Sequence, residues 1–155
     1  MRILLIHQNF PGQFRQLVPY LLGRSHDLTA ICSHERPFPP GIKGWRYDTP
    51  SPPPVPMNLG QHLWYESLQR SAAVVQICSN LNDKGWIPDC ILAHTGWGET
   101  LGISEIWPSV RQILWPELWT RPLHGGYGSD SMLPPPALIH KIEQIGRNAL
   151  TQVAL

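Results

Sequence analysis

Charge is scarce in this sequence. Only 15% of its 155 residues are Asp, Glu, Lys or Arg, the formal net charge is +1, and no basic run appears anywhere. Proteins that grip nucleic acid or an anionic membrane through phosphates carry clustered Lys and Arg, so neither partner is expected here. Cysteine is scarce as well. Cys32, Cys78 and Cys90 are odd in number and share no Cys-x-x-Cys spacing. They read as reduced thiols in a reducing compartment, small apolar side chains of a core rather than a disulfide frame. Long apolar runs are missing too: no stretch reaches the roughly 20 residues that cross a bilayer. Met1 to His7 is too short for a signal peptide and is followed by no small-residue cleavage site. The expected setting is the cytoplasm, with the protein soluble or at most peripheral to a membrane.

Several chemistries lose their usual residues. The first strand-to-helix turn lacks Gly-x-Gly-x-x-Gly, and no acidic residue closes the second strand to hold a ribose, which disfavours a dinucleotide oxidoreductase. The Walker Gly-Lys-Ser/Thr pattern is absent. So are a Gly-x-Ser-x-Gly elbow, His-Glu-x-x-His and a close carboxylate pair, the usual marks of hydrolases and metalloenzymes. Neither a cofactor nor a metal ion is expected.

What is present is enough apolar material for a core, 42% of residues, punctuated by 17 prolines and 13 glycines. A domain of this length buries roughly two-thirds of the surface its unfolded chain exposes, so a single domain over residues 1–155 is expected, with function carried on its loops. Ile3 to Ile6 is a continuous apolar run, the pattern of a parallel strand covered on both faces. Pro11 suits the first turn of a helix, and Phe14, Leu17, Val18, Leu21 and Leu22 recur at helical spacing towards Arg24, with Pro19 predicting a kink. Asp27 to Cys32 reads as a second strand and Trp45 to Tyr47 as a short third. The prolines from Pro50 to Pro56 form an extended surface crossover in preference to a ligand for a proline-binding module. Asn58 caps a long helix towards Lys84, closed by Gly85, with Leu68, Ala72, Val75 and Cys78 as its apolar stripe. Cys90 to Ala93 is the next buried strand, Glu99 to Ile106 a short helix and Gln112 to Trp115 another strand. Leu138, Ile142, Ile145, Ala149 and Val153 mark a final amphipathic helix. Strand and helix alternate as in an α/β, three-layer, doubly wound parallel sheet of Rossmann-like type.

In such a sheet the ligand lies beyond the carboxyl ends of the strands where strand order reverses. If the strands ending at Ile6 and Ala93 are neighbours, one crevice collects His7, Gln8, Asn9, Phe10, Pro11 and Gly12 against His94, Thr95, Gly96, Trp97, Gly98 and Glu99. Gly12 lets a ligand approach the backbone, and N–H groups at the helix start suit an anion such as a sugar diphosphate. His94 offers an imidazole or carbonyl to a ligand, and equally reads as a hydrogen-bonded strand end. Glu99 reads as an early-helix carboxylate favoured by the dipole, or as a ligand contact. The glycine-rich segment from His124 to Ser129 is a loop, or a lid. Trp97, Trp107, Trp115 and Trp119 serve either core packing or stacking on sugar rings.

Met1 to Arg15, MRILLIHQNFPGQFR, and His94 to Leu101, HTGWGETL, resemble the N-terminal region of family 4 glycosyltransferases with two Rossmann domains, the GT-B type. Gly85 to Asp89, Gln112 to Trp115 and the helix around Arg147, Asn148 and Ala149 fit the same pattern. The resemblance implies retaining transfer of a sugar from a nucleotide-sugar donor to a sugar or lipid-linked acceptor, usually without metal, with the acceptor mainly on the N-terminal domain. It implies a role for His94 in steadying developing positive charge at the transferred sugar. Asn9, Pro11, Gly12, Gln13, Gly96, Trp97, Gly98 and Glu99 are the implied substrate contacts. In the family a C-terminal domain holds the donor nucleotide. Its basic residues and paired glutamates have no counterpart in this sequence, so such a domain is expected in cis or as a separate chain, and the acceptor-side half alone is expected to be inactive. The alternative expectation is a non-catalytic binding module on the same fold.

Overall fold

The computed structural model describes residues 1–116 and Ala149. β1 (Arg2–Ile6) is buried from Ile3 onward, as its unbroken apolar run requires. It pairs in parallel with β2 (Asp27–Cys32) on one side and with β4 (Cys90–Thr95) on the other. β3 (Ile42–Arg46) and β5 (Arg111–Pro116) form the edges, giving a five-stranded parallel sheet in the order β3-β2-β1-β4-β5. This is the doubly wound α/β order, and its direction reverses between β1 and β4.

Helices cover both faces. On one, Ile3, Leu5, Leu28, Ala30, Cys32 and Leu92 pack under Phe10, Phe14 and Val18, from the segment that includes a four-residue 3-10 helix (Gly12–Arg15) and α1 (Leu17–Gly23). On the other, Leu4, Ile6, Ile31, Ile91 and Ala93 pack against α2 (Leu59–Asp83) and α3 (Ile103–Ile106) through Val74, Cys78, Leu81 and Ile103. Each fully buried aliphatic side chain stabilises the fold by about 1.5–3 kcal/mol. All three cysteines are free and buried, and burial pushes the Cys78 thiol up to about 12.

α2 starts and stops where its sequence says. The Asn58 side chain accepts from the Gln61 N–H at 2.9 Å, and the Gln61 side chain accepts from the Asn58 N–H at 3.1 Å, a reciprocal capping box. At the other end Gly85 takes φ +75°, the Trp86 N–H donates to Leu81 O at 2.9 Å and the Gly85 N–H to Asn82 O at 2.8 Å. These two bonds form a Schellman stop. Asn58→Ala is therefore expected to cost about 1 kcal/mol, read as a lowered urea midpoint, while Asn58→Asp keeps most of the stability.

Four expectations are corrected. The α1 region breaks at Gln16, not at Pro19: Pro19 lies in the first turn of α1, where its missing N–H leaves no helical bond unmade. The buried stripe of α2 is Ser67, Ser71, Val74, Cys78 and Leu81, whereas Leu68 and Ala72 face solvent. Hydrophobicity alone set the phase wrongly, because the helix turns small serines towards a close backbone contact. β3 begins at Ile42, paired with Leu28 of β2, and ends at Arg46, so it runs through Gly44, an unpromising strand residue at which a Cβ would overlap the Phe38 ring. The helix expected from Glu99 begins only at Ile103, since Gly98 to Gly102 form turns. The connector from Pro50 to Pro56 contains neither helix nor strand, as proline's missing donor dictates. The amphipathic helix expected over 138–153, the glycine-rich segment 124–129 and Trp119 lie outside the described residues, apart from Ala149. Among the described residues no helix is long and apolar enough to cross a membrane.

Candidate functional site

The register Ile6↔Ala93 brings the ends of β1 and β4 side by side at the reversal of strand order. His7 follows β1, and His94 is the fifth residue of β4, which runs two residues further than its apolar run predicts. Their imidazoles stack with centroids 4.5 Å apart and planes 21° apart. Beyond them opens a pocket of about 420 Å³ lined by His7, Gln8, Asn9, Gly12, Gln13, His94 and Trp97. That volume is in the range of small-molecule sites, about 300–1,000 Å³.

Gln13 joins the two histidines. Its Oε1 pairs with His7 Nε2, and its Nε2 lies 3.4 Å from His94 Nε2. The Asn9 backbone N–H donates to His7 Nδ1 at 3.0 Å. Gly12, at φ +44°, allows this turn to close, because a Cβ there would overlap the His7 ring. Phe14 lies beneath, fully buried, with its ring edge-on to His7 at 5.4 Å and to Trp115 at 6.2 Å.

The second wall is the turn from Gly96 to Glu99. Gly96 and Gly98 both take φ +106°, and a Cβ on Gly98 would overlap the Ser67 backbone of α2. Arg70, one turn along α2, is 8% exposed. It donates to Trp97 O at 3.4 Å, pairs with Glu66 at 3.1 Å and stands 5.9 Å from the Trp97 ring centre. Trp97 is thereby held against the pocket by its carbonyl and its ring face together. Glu99 turns inward: it is 1% exposed, and its Oε1 accepts from the Tyr47 hydroxyl at 2.7 Å. Burial first, and then the adjacent Glu99 carboxylate, pushes the Tyr47 phenol up, so it remains protonated and donates.

The expected site residues are thus divided. Asn9, Gly12, Gln13, Trp97 and His94 line the pocket, whereas Pro11, Gly96, Gly98 and Glu99 do not. Pro11 instead precedes the 3-10 helix and accepts the Phe14 N–H through its carbonyl at 2.7 Å. Gly96 and Gly98 shape the loop. Glu99 sits outside the first turn of α3, so the dipole role expected for it is corrected to that of a buried acceptor for Tyr47. The anion-binding helix start is corrected as well, since four residues of 3-10 helix follow the turn instead of a long α-helix. Of the tryptophans, Trp107 is core, with its indole N–H on Asn82 at 3.0 Å.

His7 and Gln8 also line the pocket, and the sequence marks them only as crevice residues that follow β1. Position alone was the available signal. Tyr47 and Arg70 gave none, because only folding brings them to residues 52 and 27 positions away. Among the described residues no group of three His, Cys, Asp or Glu side chains is placed to hold a metal ion.

Compared with known proteins, the chain matches the sequence model of the glycosyl transferase family 4 group over residues 24–155. The match begins directly after α1, so β1 and the Gly12 turn precede it. No curated protein matches. The family match over most of the chain, joined to a parallel sheet whose strand order reverses at the His7 and His94 pocket, identifies this chain as a member of the glycosyl transferase family 4 group.

Proposed function

We propose that this chain is the acceptor-side part of a retaining glycosyltransferase. In this reading the pocket between β1 and β4 receives a saccharide: the sugar being transferred, the hydroxyl that receives it, or both. The single observation that carries this reading is the chemistry of the lining. The described residues there are amides, imidazoles, a glycine and an indole, with no lysine, arginine or carboxylate among them. Amide and imidazole groups match the alternating donors and acceptors of neutral hydroxyls, and the indole offers a face for a sugar ring. A diphosphate would call for cations, and those belong to a donor-binding domain supplied in cis or by another chain. His94 acts by position and dipole on charge developing at the sugar, and not as a nucleophile. Asn9, Gly12, Gln13 and Trp97 contact the saccharide, while Pro11, Gly96, Gly98 and Glu99 shape the turns around it. The acceptor is a sugar or a lipid-linked sugar, the donor a nucleotide sugar, and the setting is the cytoplasm, at most at a membrane surface.

A second reading, a non-catalytic binding or interaction module on the same fold, draws on the same lining, because no carboxylate is among the described residues there. Titration of the full chain with simple glycosides and nucleotide sugars, followed by two-dimensional NMR, tests the proposal. Shifts are expected at Gln13, His94 and Trp97, and His94→Ala is expected to weaken saccharide affinity roughly tenfold, about 1.4 kcal/mol. Transfer is expected only when a donor-binding domain is added. Robust turnover of a nucleotide sugar by the chain alone, or shifts confined to another surface, would refute it, and binding with no transfer in any combination selects the module.

A further inference from the structure

We propose that Gln13, backed by His7, is a positioning residue that fixes the tautomer of His94. The inference rests on the reading of His94 as the residue facing the sugar, and it adds how that imidazole is held.

One backbone group at the site cannot change its role. The Asn9 N–H can only donate, and it points at His7 Nδ1 from 3.0 Å. His7 Nδ1 is therefore an acceptor. A neutral imidazole with an acceptor at Nδ1 carries its proton on Nε2, whereas a protonated ring would bring two hydrogens face to face at Nδ1. His7 Nε2–H then meets Gln13, and only the amide oxygen can accept it. This sets the orientation of the whole amide, so the Gln13 NH₂ faces His94 Nε2 at 3.4 Å. His94 Nε2 is left as an acceptor, and its proton lies on Nδ1.

The order is one-directional: Asn9 N–H to His7, His7 to Gln13, Gln13 to His94. Along these three bonds only one arrangement is consistent, because a reversed Gln13 would set NH₂ against the His7 N–H and oxygen against the His94 lone pair. The stacking of the two rings at 4.5 Å and the close fit of Gly12 under His7 hold the chain in place. Its effect is to present a neutral, oriented imidazole dipole to the pocket. A free imidazole would instead populate both tautomers.

Nitrogen-detected or long-range proton–nitrogen NMR of the full-length chain, at about pH 8 where histidines are largely neutral, reads both tautomers directly. The wild type is expected to show His7 protonated at Nε2 and His94 protonated at Nδ1. Gln13→Glu offers a carboxylate that can only accept, so His94 is expected to switch to the Nε2–H form while His7 stays as it was. His7→Ala leaves the amide free to turn, and the Nδ1–H preference of His94 is expected to weaken. A wild-type His94 carrying its proton on Nε2 overturns the proposal outright, and that spectrum needs no variant to fold. An unchanged His94 in Gln13→Glu overturns it too. Saccharide titration separates this outcome from the broader reading: tautomers as expected with no sugar bound anywhere would sink the functional assignment and leave the Gln13 mechanism standing.

Discussion

Gly98→Ala is expected to destabilise the protein by about 3 kcal/mol and to remove most of its saccharide affinity. Two penalties fall on one methyl group. Gly98 takes φ +106°, a conformation that side-chain-bearing residues adopt only under strain, and the new Cβ would overlap the Ser67 backbone. Backbone cannot swing aside as a flexible side chain can, so α2 or the Gly96 to Glu99 turn must move. Either movement disturbs Trp97, which Arg70 holds from α2. The urea midpoint should fall with little change in slope. Gly85→Ala provides the comparison, since Gly85 takes φ +75° with nothing within 4 Å of the added carbon. It isolates the conformational cost, about 1–2 kcal/mol. Equal losses in the two variants would show that the contact with Ser67 is not what determines Gly98.

Phe14→Ala is expected to cost about 3–5 kcal/mol, the range for emptying an aromatic site in a packed core. Phe14 is fully buried and links the sheet face to the site, with its ring edge-on to His7 and to Trp115. Its removal leaves the His7 ring without its floor, so saccharide binding should weaken in the fraction that stays folded. Phe14→Leu keeps an apolar plug and should lose roughly half as much or less. Thermal and urea unfolding measure the first effect, and calorimetric titration of the folded protein the second. A Phe14→Ala protein as stable as wild type would mean that this side of the sheet is not packed as described.

The strands were the most legible part of the sequence. Ile3 to Ile6 and Cys90 to Ala93 are apolar without interruption, and in the fold each is buried on both faces in a parallel sheet. The limits of α2 were equally plain, because Asn58 with Gln61 and Gly85 act locally, through bonds no more than five residues apart. Local rules failed where the deciding contact was distant. Hydrophobicity points Leu68 to the core, yet α2 turns Ser67 inward, where its backbone lies against Gly98 from the turn after β4.

The pocket divides in the same way. By itself the sequence determined that His7 and His94 each follow a buried apolar run, that glycines lie close by in the chain, and that residues 24–155 carry the pattern of the glycosyl transferase family 4 group. Local apolar patterning and short-range hydrogen bonds suffice for that much. Only the tertiary structure decided that the two imidazoles stack, that Gln13 lies between them, and that Glu99 turns from the pocket to Tyr47. Those outcomes depend on strand register and on close packing between residues dozens of positions apart, and neither leaves a periodic trace along the chain.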